Sequence, residues 1–188
     1  MKTLRILFAV VVCGLLTGCP SVTLVKPGPV TIQDHVIVEP SQEWSHLSGF
    51  SKWDVLTVDG SRLQRVSILG GLEDGETIFS FREGVKAPKF KSNMTSVEIA
   101  DAIKASVAAV NIRNFKILNL RPYTFGGEEG FKFDCTYKTK EGLDFKCIFV
   151  GAVHKKRLNL IAVYGTSVHY FDKYVEEAER IIRSARFI

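Results

Sequence analysis

The sequence lacks most of the patterns that catalytic and nucleic-acid-binding proteins need. Its 188 residues include only 4 cysteines, none of them in a Cys-x-x-Cys turn, which excludes a thioredoxin-like redox motif. Glycine pairs occur at 70–71 and 126–127, but no Lys-Ser or Lys-Thr directly follows either pair, which excludes a phosphate-binding P-loop. The formal net charge is +5, too small for a dedicated nucleic-acid binder.

Long apolar runs are also absent, except for one at residues 6–16. Lys2 and Arg5 precede this run and small residues follow it before Cys19, which is the layout of a secretory signal. The run is roughly half of the ~20 residues that a membrane-spanning helix needs. The sequence therefore predicts a cleaved signal over residues 1–18. Its loss removes two of the 25 basic residues and none of the 20 acidic ones, which leaves a net charge of about +3.

The four residues Leu16-Thr17-Gly18-Cys19 resemble the bacterial lipobox, in which signal peptidase cuts before a cysteine that carries diacylglycerol. The resemblance implies that Cys19 is lipidated and that acyl chains, palmitate among them, hold the protein firmly on its membrane. In similar lipoproteins an Asp after the cysteine marks retention in the inner membrane, whereas Pro20 and Ser21 follow here. This implies the outer membrane, facing the periplasm. An ordinary signal with an incidental cysteine is the alternative.

Residues 19–34 predict an acylated N terminus followed by a flexible tether. This stretch is rich in Ser, Thr and Val, carries three prolines, and has neither a helical nor a strand period. Such a tether reaches at most ~50 Å at ~3.3 Å per residue, so the folded body is expected to stand clear of the lipid. Residues 35–188 have the size of one domain.

The apolar period of residues 35–188 predicts an α+β domain, in which an antiparallel sheet of about six strands packs against two main helices. Period two favours a hairpin at 53–58 and 63–69, and helical spacing favours helices at 95–110 and 169–184. Four strands with short connections, which imply an antiparallel meander, are predicted at 115–123, 131–138, 143–150 and 158–164. The polar face of the strand at 131–138 is expected to meet water.

Three segments resemble a group of uncharacterised proteobacterial lipoproteins: the C-terminal stretch 169–187, Phe125-Gly126-Gly127 with Gly130-Phe131, and Gly151-Ala152-Val153-His154. In the order of its elements the chain is also similar to the PsbP-like fold, a sandwich of an antiparallel sheet and helices. The resemblance implies a binding or assembly module, and a function taken from a fold is an analogy.

Cys135 and Cys147 are the candidate site with the most local chemistry. If residues 140–142 form a loop with Gly142 in the left-handed conformation, the two cysteines lie opposite each other on an apolar face. Facing Cβ atoms lie about 4.5–5.5 Å apart, slightly beyond disulfide geometry, but the export compartment is oxidising. A disulfide and two reduced, buried thiols are therefore both open. Redox catalysis is not expected, because it needs an exposed thiol of low pKa.

Neither the histidines nor a serine motif predicts a catalytic or metal site. Glu43 and His46 have a metal-binding spacing, but only one such pair exists. Gly165-Thr166-Ser167 resembles a nucleophile elbow in outline, yet no histidine follows Asp172 to complete the hydrolase order. We expect Ser167 to cap a helix. No enzyme activity, metal or cofactor is expected.

A basic turn supplies the candidate contacts to a ligand or partner, which are His154, Lys155, Lys156 and Arg157, together with His169. Lys132, Lys138 and Lys146 would extend this surface toward anionic lipid or an acidic partner. The alternative is a solvated face with Asp134 and Asp144 interspersed.

These observations predict a membrane-anchored lipoprotein that binds a protein partner in envelope assembly or maintenance. The alternative is a small-ligand or lipid-binding protein that uses an apolar cleft between the sheet and the C-terminal helix. In that case Tyr123, Tyr164 or His169 would lie at the mouth of the cleft. Nucleic acid is not expected as a partner.

Overall fold

The computed structural model describes residues 21–110 and 112–188, so the predicted signal and Cys19 lie outside the described residues. In chain order, the described residues form β1 (Ser21–Val25), β2 (Val30–Ile32), β3 (Val36–Val38), β4 (Trp44–Ser48), β5 (Asp54–Thr57), β6 (Gln64–Leu72), α1 (Ser96–Ala109), β7 (Arg113–Phe125), β8 (Glu128–Lys138), β9 (Asp144–His154), β10 (Arg157–Thr166), α2 (Tyr170–Ser184) and β11 (Arg186–Phe187). Neither helix is both long enough and apolar enough to cross a bilayer.

Most strands join one antiparallel sheet of eight, in the order β1-β4-β5-β6-β10-β9-β8-β7, while β11-β3-β2 form a small second sheet. Strands β7 to β10 are the predicted meander, since each pairs with the next. The α+β class and the antiparallel sheet are confirmed. The expected number of about six strands is too low, because β1 to β4 have only three to five residues each and so carry little periodic signal.

Each face of the large sheet buries its own apolar layer. α1 covers one face, where Ile103 packs in the same cluster as Phe149 and Leu160. α2 covers the other face, where Ile181 packs in the same cluster as Ile161. Because side chains alternate along a strand, the nearly continuous apolar run of β10 serves both layers.

The two helices begin differently. At α1, Thr95 accepts from the backbone N–H of Glu98 at 3.3 Å and its own N–H donates to the Glu98 carboxylate at 2.7 Å, which is a capping box. The predicted cap at Ser167 is wrong, since α2 has His169 at its N-cap position. The backbone N–H of Ser167 instead donates to the carbonyl of Asp144 at 2.8 Å, which ties the chain to the start of β9.

The flexible tether predicted over residues 19–34 is wrong for its described part. β1 pairs with β4 from Ser21 onward and β2 pairs with β3. Gly28 has a φ of 124° and its N–H donates to the carbonyl of Pro40 at 3.0 Å, so the prolines around it flank a turn. The folded unit therefore includes residues 21–34, which were assigned to the tether.

The polar face of β8, which was expected to meet water, is partly covered. Lys132 is buried and forms an ion pair with Glu179 of α2. Its ammonium also lies 5.3 Å from the ring centre of Tyr123, within the range of a cation–π contact. α2 therefore covers part of the face that the alternation assigned to solvent.

Candidate functional site

An aromatic cleft of about 290 Å³ opens on the α1 face of the sheet. Trp53 and Phe79 stack there with ring centres 5.6 Å apart, and Tyr137 meets Tyr164 edge-on at 6.2 Å. Trp53 is fixed because its indole N–H donates to the carbonyl of Ile78 at 2.8 Å. The cleft is therefore a rigid apolar recess, close to the lower size limit of small-ligand sites.

Arg65 supplies the charge at this cleft. Its guanidinium carbon lies 4.1 Å from the ring centre of Tyr164, and its Nη1 donates to the carbonyl of Ser61 at 2.9 Å. Within residues 21–110 and 112–188, no carboxylate forms an ion pair with it. Burial raises the pKa of both Tyr137 and Tyr164, although the positive charge of Arg65 opposes this. The guanidinium of Arg65 and the hydroxyls of Tyr137 and Tyr164 can thus donate hydrogen bonds to a bound anion.

The two cysteines belong to the apolar layer of this same face. Cys135 and Cys147 are directly opposed on β8 and β9, with Cα atoms 4.8 Å apart, and a disulfide joins them. The predicted loop is confirmed: Gly142 has a φ of 89°, and the N–H of Thr139 donates to the carbonyl of Leu143 at 2.9 Å. Both cysteines are buried.

A larger groove of about 830 Å³ lies between the start of α1 and strand β7. Met94, Ile99 and Phe131 give it an apolar floor, and Leu120, which is 36% exposed, lies on its β7 wall. β7 is the last strand of the sheet, and no strand in the described part of the chain pairs with its outer edge. The groove therefore borders an open sheet edge, a place where extended protein segments bind.

The edge of β7 is interrupted rather than flat. The register against β8 shifts at two places, between Arg113 and Lys116 and between Leu118 and Arg121. Asn114 and Asn119, which lie within these shifts, have positive φ angles of 55° and 52°. Such bulges limit indiscriminate edge pairing, and beside the groove the regular edge resumes only at Arg121.

The predicted basic turn forms a polar recess of about 480 Å³ with Asp34 and His35. Lys155 and Lys156 are exposed and have positive φ angles of 47° and 64°, as in a two-residue hairpin turn. His154 is bonded to Glu128 at 2.7 Å and Arg157 to Glu73 at 2.7 Å. Two of the four turn residues are therefore already paired with acidic side chains.

His169 does not join this recess. It lies at the far end of β10, where its ring packs edge-on against Tyr170 at 5.0 Å. Lys138 and Lys146, which were expected to extend a basic surface, pair with Asp144 at 3.2 Å and Asp172 at 2.9 Å. The lysines of β8 and β9 thus form an ion-paired face instead of a uniformly positive patch.

The cleft expected between the sheet and the C-terminal helix is also misplaced. α2 packs closely on its face, with Tyr174, Ala178 and Ile181 buried. The apolar recesses lie on the α1 side, where Tyr164 lines the aromatic cleft, whereas Tyr123 borders the groove and packs against Lys132 and the α2-side cluster. His169 lies apart from both.

Sequence reasoning missed a buried polar cluster beside β4. His46 bonds to Asp54 at 2.9 Å, and Gln33 donates to the other carboxylate oxygen of Asp54 at 3.1 Å. The signal was available in part, because positions 46 and 54 are diagonal neighbours in the β4–β5 pairing. The described residues hold no group of three His, Cys, Asp or Glu side chains placed for a metal ion.

Comparison with solved structures identifies the fold. The chain is similar to cyanobacterial PsbP (CyanoP) from Synechocystis sp. PCC 6803, with a TM-score of 0.56, 9% identity, and coverage of 93% of this chain and 96% of that chain. It is also similar to LpqN, which is involved in cell envelope biogenesis of Mycobacterium tuberculosis, with a TM-score of 0.37, 9% identity, and coverage of 91% and 85%. No protein-family model and no curated protein sequence matches. The PsbP-like fold is thus confirmed, while identity this low carries no function.

Proposed function

We propose that the protein is a lipid-anchored binding module of the cell envelope without catalytic activity. Cys19 carries the acyl chains, and the folded domain faces the periplasm from the outer membrane. The lipobox-like residues 16–19 and the Pro20-Ser21 that follow support this location. Two or more acyl chains give stable attachment, whereas one chain holds only marginally.

The module acts by binding a protein partner in the groove between α1 and β7. One observation carries this proposal: the groove combines an apolar floor with an open sheet edge. An extended segment of a partner can add a strand to such an edge through backbone hydrogen bonds, while apolar side chains occupy the groove. Leu120, which is 36% exposed, lies on the same strand and extends the apolar contact along the wall of the groove.

In-cell photocrosslinking tests this proposal. A photoreactive amino acid is placed at Leu120 or at Thr124 in the groove, and as a control at Val168, which is 94% exposed between β10 and α2 and does not line the groove. The proposal predicts one envelope protein that crosslinks from both groove positions and not from Val168. Equal yields from Val168, or no adduct from either groove position in the anchored protein, would contradict it.

A second function, binding of a small amphipathic anion, is favoured by the aromatic cleft. Arg65 offers a positive charge without an acidic partner among the described residues, at the mouth of a recess lined by Trp53, Phe79 and Tyr137. A carboxylate would pair with the guanidinium while its apolar tail entered the cleft. Calorimetry with octanoate, and with octanol as a neutral control, distinguishes this function. Octanoate should bind more tightly than octanol, and Arg65→Met should abolish the difference.

A further inference from the structure

The apolar face that α1 covers at the centre of the sheet continues to the β1 edge. Val22, Leu47 and Val55 are cross-strand partners, so their side chains share one face. The same row runs on through Ser67 and Ala162 to Phe149, in the cluster beneath α1. At the β1 end this face is open, because Val22 is 63% exposed and Leu24, on the same side of the strand, is 59% exposed.

Phe50 adds an aromatic side chain at the same edge of the molecule. It lies in the turn between β4 and β5 and is 61% exposed. The turn begins directly after Ser48, which pairs with Ser21. Phe50 is therefore placed at the end of β1 from which the chain leads back toward Cys19.

Covalent geometry places the lipid attachment point next to these side chains. Cys19 precedes Ser21 by two residues, and two residues span at most about 7 Å. Ser21 cannot be displaced freely, because it is the first paired residue of β1 and its hydroxyl lies 2.8 Å from that of Ser48. Lipid on Cys19 therefore holds the β1 edge at the bilayer surface, without a tether between them.

We propose that Val22, Leu24 and Phe50, here called the anchor-side patch, form a membrane-contact surface that orients the domain on the bilayer. The proposal rests on the lipidation of Cys19 proposed above. Apolar and aromatic side chains favour the membrane interface, and the neighbouring anchor keeps the local concentration of lipid high. The anchor-side patch then stays in contact with the bilayer even if its own affinity for lipid is too weak for binding without the anchor.

Fluorescence quenching by lipid tests the proposal on the full lipidated protein. Phe50→Trp is compared with Val168→Trp, which lies beyond the opposite end of β10 and is 94% exposed. Each protein is reconstituted in phosphatidylcholine vesicles with and without bromine on the acyl chains. The native Trp44 and Trp53 are buried, so the unsubstituted protein supplies the background. A further variant combines Phe50→Trp with Val22→Ser and Leu24→Ser.

The proposal predicts that Phe50→Trp loses about half or more of its added emission, as expected for a side chain roughly 5–10 Å deep in the interface, whereas Val168→Trp keeps its emission. The two serine substitutions should reduce this quenching at least about twofold. Equal quenching at both positions in lipidated, vesicle-bound protein overturns the patch and leaves the anchor intact. If the purified protein carries no lipid, both the membrane contact of the patch and the lipidation of Cys19 are overturned. A blue shift at residue 50 in detergent-free protein without vesicles, caused by a second copy covering the patch, also overturns the proposal.

Discussion

Ser21 and Ser48 face each other across β1 and β4, with their hydroxyl oxygens 2.8 Å apart. This pair fixes the chain in the large sheet only two residues after Cys19. Covalent geometry therefore limits the backbone distance between Cys19 and the first strand to at most about 7 Å. If Cys19 is lipidated as proposed, the domain is held at the membrane surface and its other binding surfaces are presented from there.

The disulfide between Cys135 and Cys147 is expected to stabilise the fold. It closes a loop with a sequence separation of 12, and loss of such a crosslink costs about 2–3 kcal/mol in a chain-entropy description. Urea unfolding of a Cys135→Ala, Cys147→Ala double variant should show this loss. Reductant should add two hydrogens to the mass of the mature wild-type protein and lower its stability to that of the variant. An unchanged mass would contradict the disulfide.

The ion pair between Lys132 and Glu179 predicts a large cost for removing one partner alone. The side chain of Lys132 is 9% exposed, so Glu179→Gln leaves a nearly buried charge without its counterion. Because Glu179 itself is 23% exposed, we expect about 2–3 kcal/mol, somewhat below the cost of breaking a fully buried pair.

Asp144→Asn is the matched control for that pair, since Lys138 and Asp144 are 44% and 61% exposed. It should cost less than about 1 kcal/mol. Replacing both buried partners, as Lys132→Met with Glu179→Leu, should recover most of the loss in urea unfolding. Equal losses in the Glu179→Gln and Asp144→Asn variants would show that α2 does not shield the pair.

Asp59 predicts an acid-dependent contribution to stability. It accepts from Lys173 at 2.7 Å and from the hydroxyl of Tyr174 at 2.6 Å, and these hydrogen bonds lower the pKa of Asp59 from its ordinary value of 3.8. A carboxyl whose pKa is lower in the folded state stabilises the fold above its unfolded pKa. This contribution is lost as the pH falls from about 3.8 toward the folded pKa.

Urea midpoints measured across acidic pH for wild type and Asp59→Asn test that contribution. Wild type should lose more stability than Asp59→Asn as the pH falls below the ordinary aspartate range, and the two curves should converge. Parallel curves would mean that the contacts of Asp59 with α2 do not persist in solution.

Gly126 gives the glycine pair after β7 a specific role in packing. A Cβ at Gly126 would lie 2.6 Å from the ring of Phe187, whereas a Cβ at Gly127 would meet nothing within 4 Å. Both residues have positive φ angles, 61° and 90°, so alanine at either site carries about 1–2 kcal/mol of backbone strain.

Only Gly126→Ala should cost more than that strain, because it also displaces Phe187 from its edge-on contact with Phe125 at 5.1 Å. Thermal unfolding of Gly126→Ala and Gly127→Ala, each with and without Phe187→Ala, tests this. The excess cost should disappear when Phe187 is truncated, and an excess that persists would assign it to the backbone alone.

The long elements could be predicted from the sequence because their signals are local. Period two and helical spacing identify β7 to β10 and both helices, and the loop closed by Gly142 fixes the register that brings Cys135 opposite Cys147. The capping box at Thr95 is likewise a signal within four residues.

The recesses and the N-terminal strands could not be predicted, because they depend on partners that are distant in sequence. β1 is stabilised by β4, about twenty residues away, and the aromatic cleft combines Trp53, Phe79 and Tyr164 from separate segments. The sequence predicted a contact surface at the basic turn because its positive charges are adjacent in the chain. In the fold, Glu128 pairs with His154 and Glu73 pairs with Arg157, and both glutamates come from distant segments.

Metabolic labelling with an alkyne analogue of palmitate, followed by envelope fractionation, tests the central claim most directly. Wild type is compared with Cys19→Ser and with Cys13→Ser, which changes a cysteine inside the predicted signal and keeps Cys19. The lipid-anchored account predicts labelled wild-type and Cys13→Ser protein in the outer membrane fraction, and unlabelled Cys19→Ser protein released from it. A Cys19→Ser protein that is labelled and membrane-bound as firmly as wild type would contradict it.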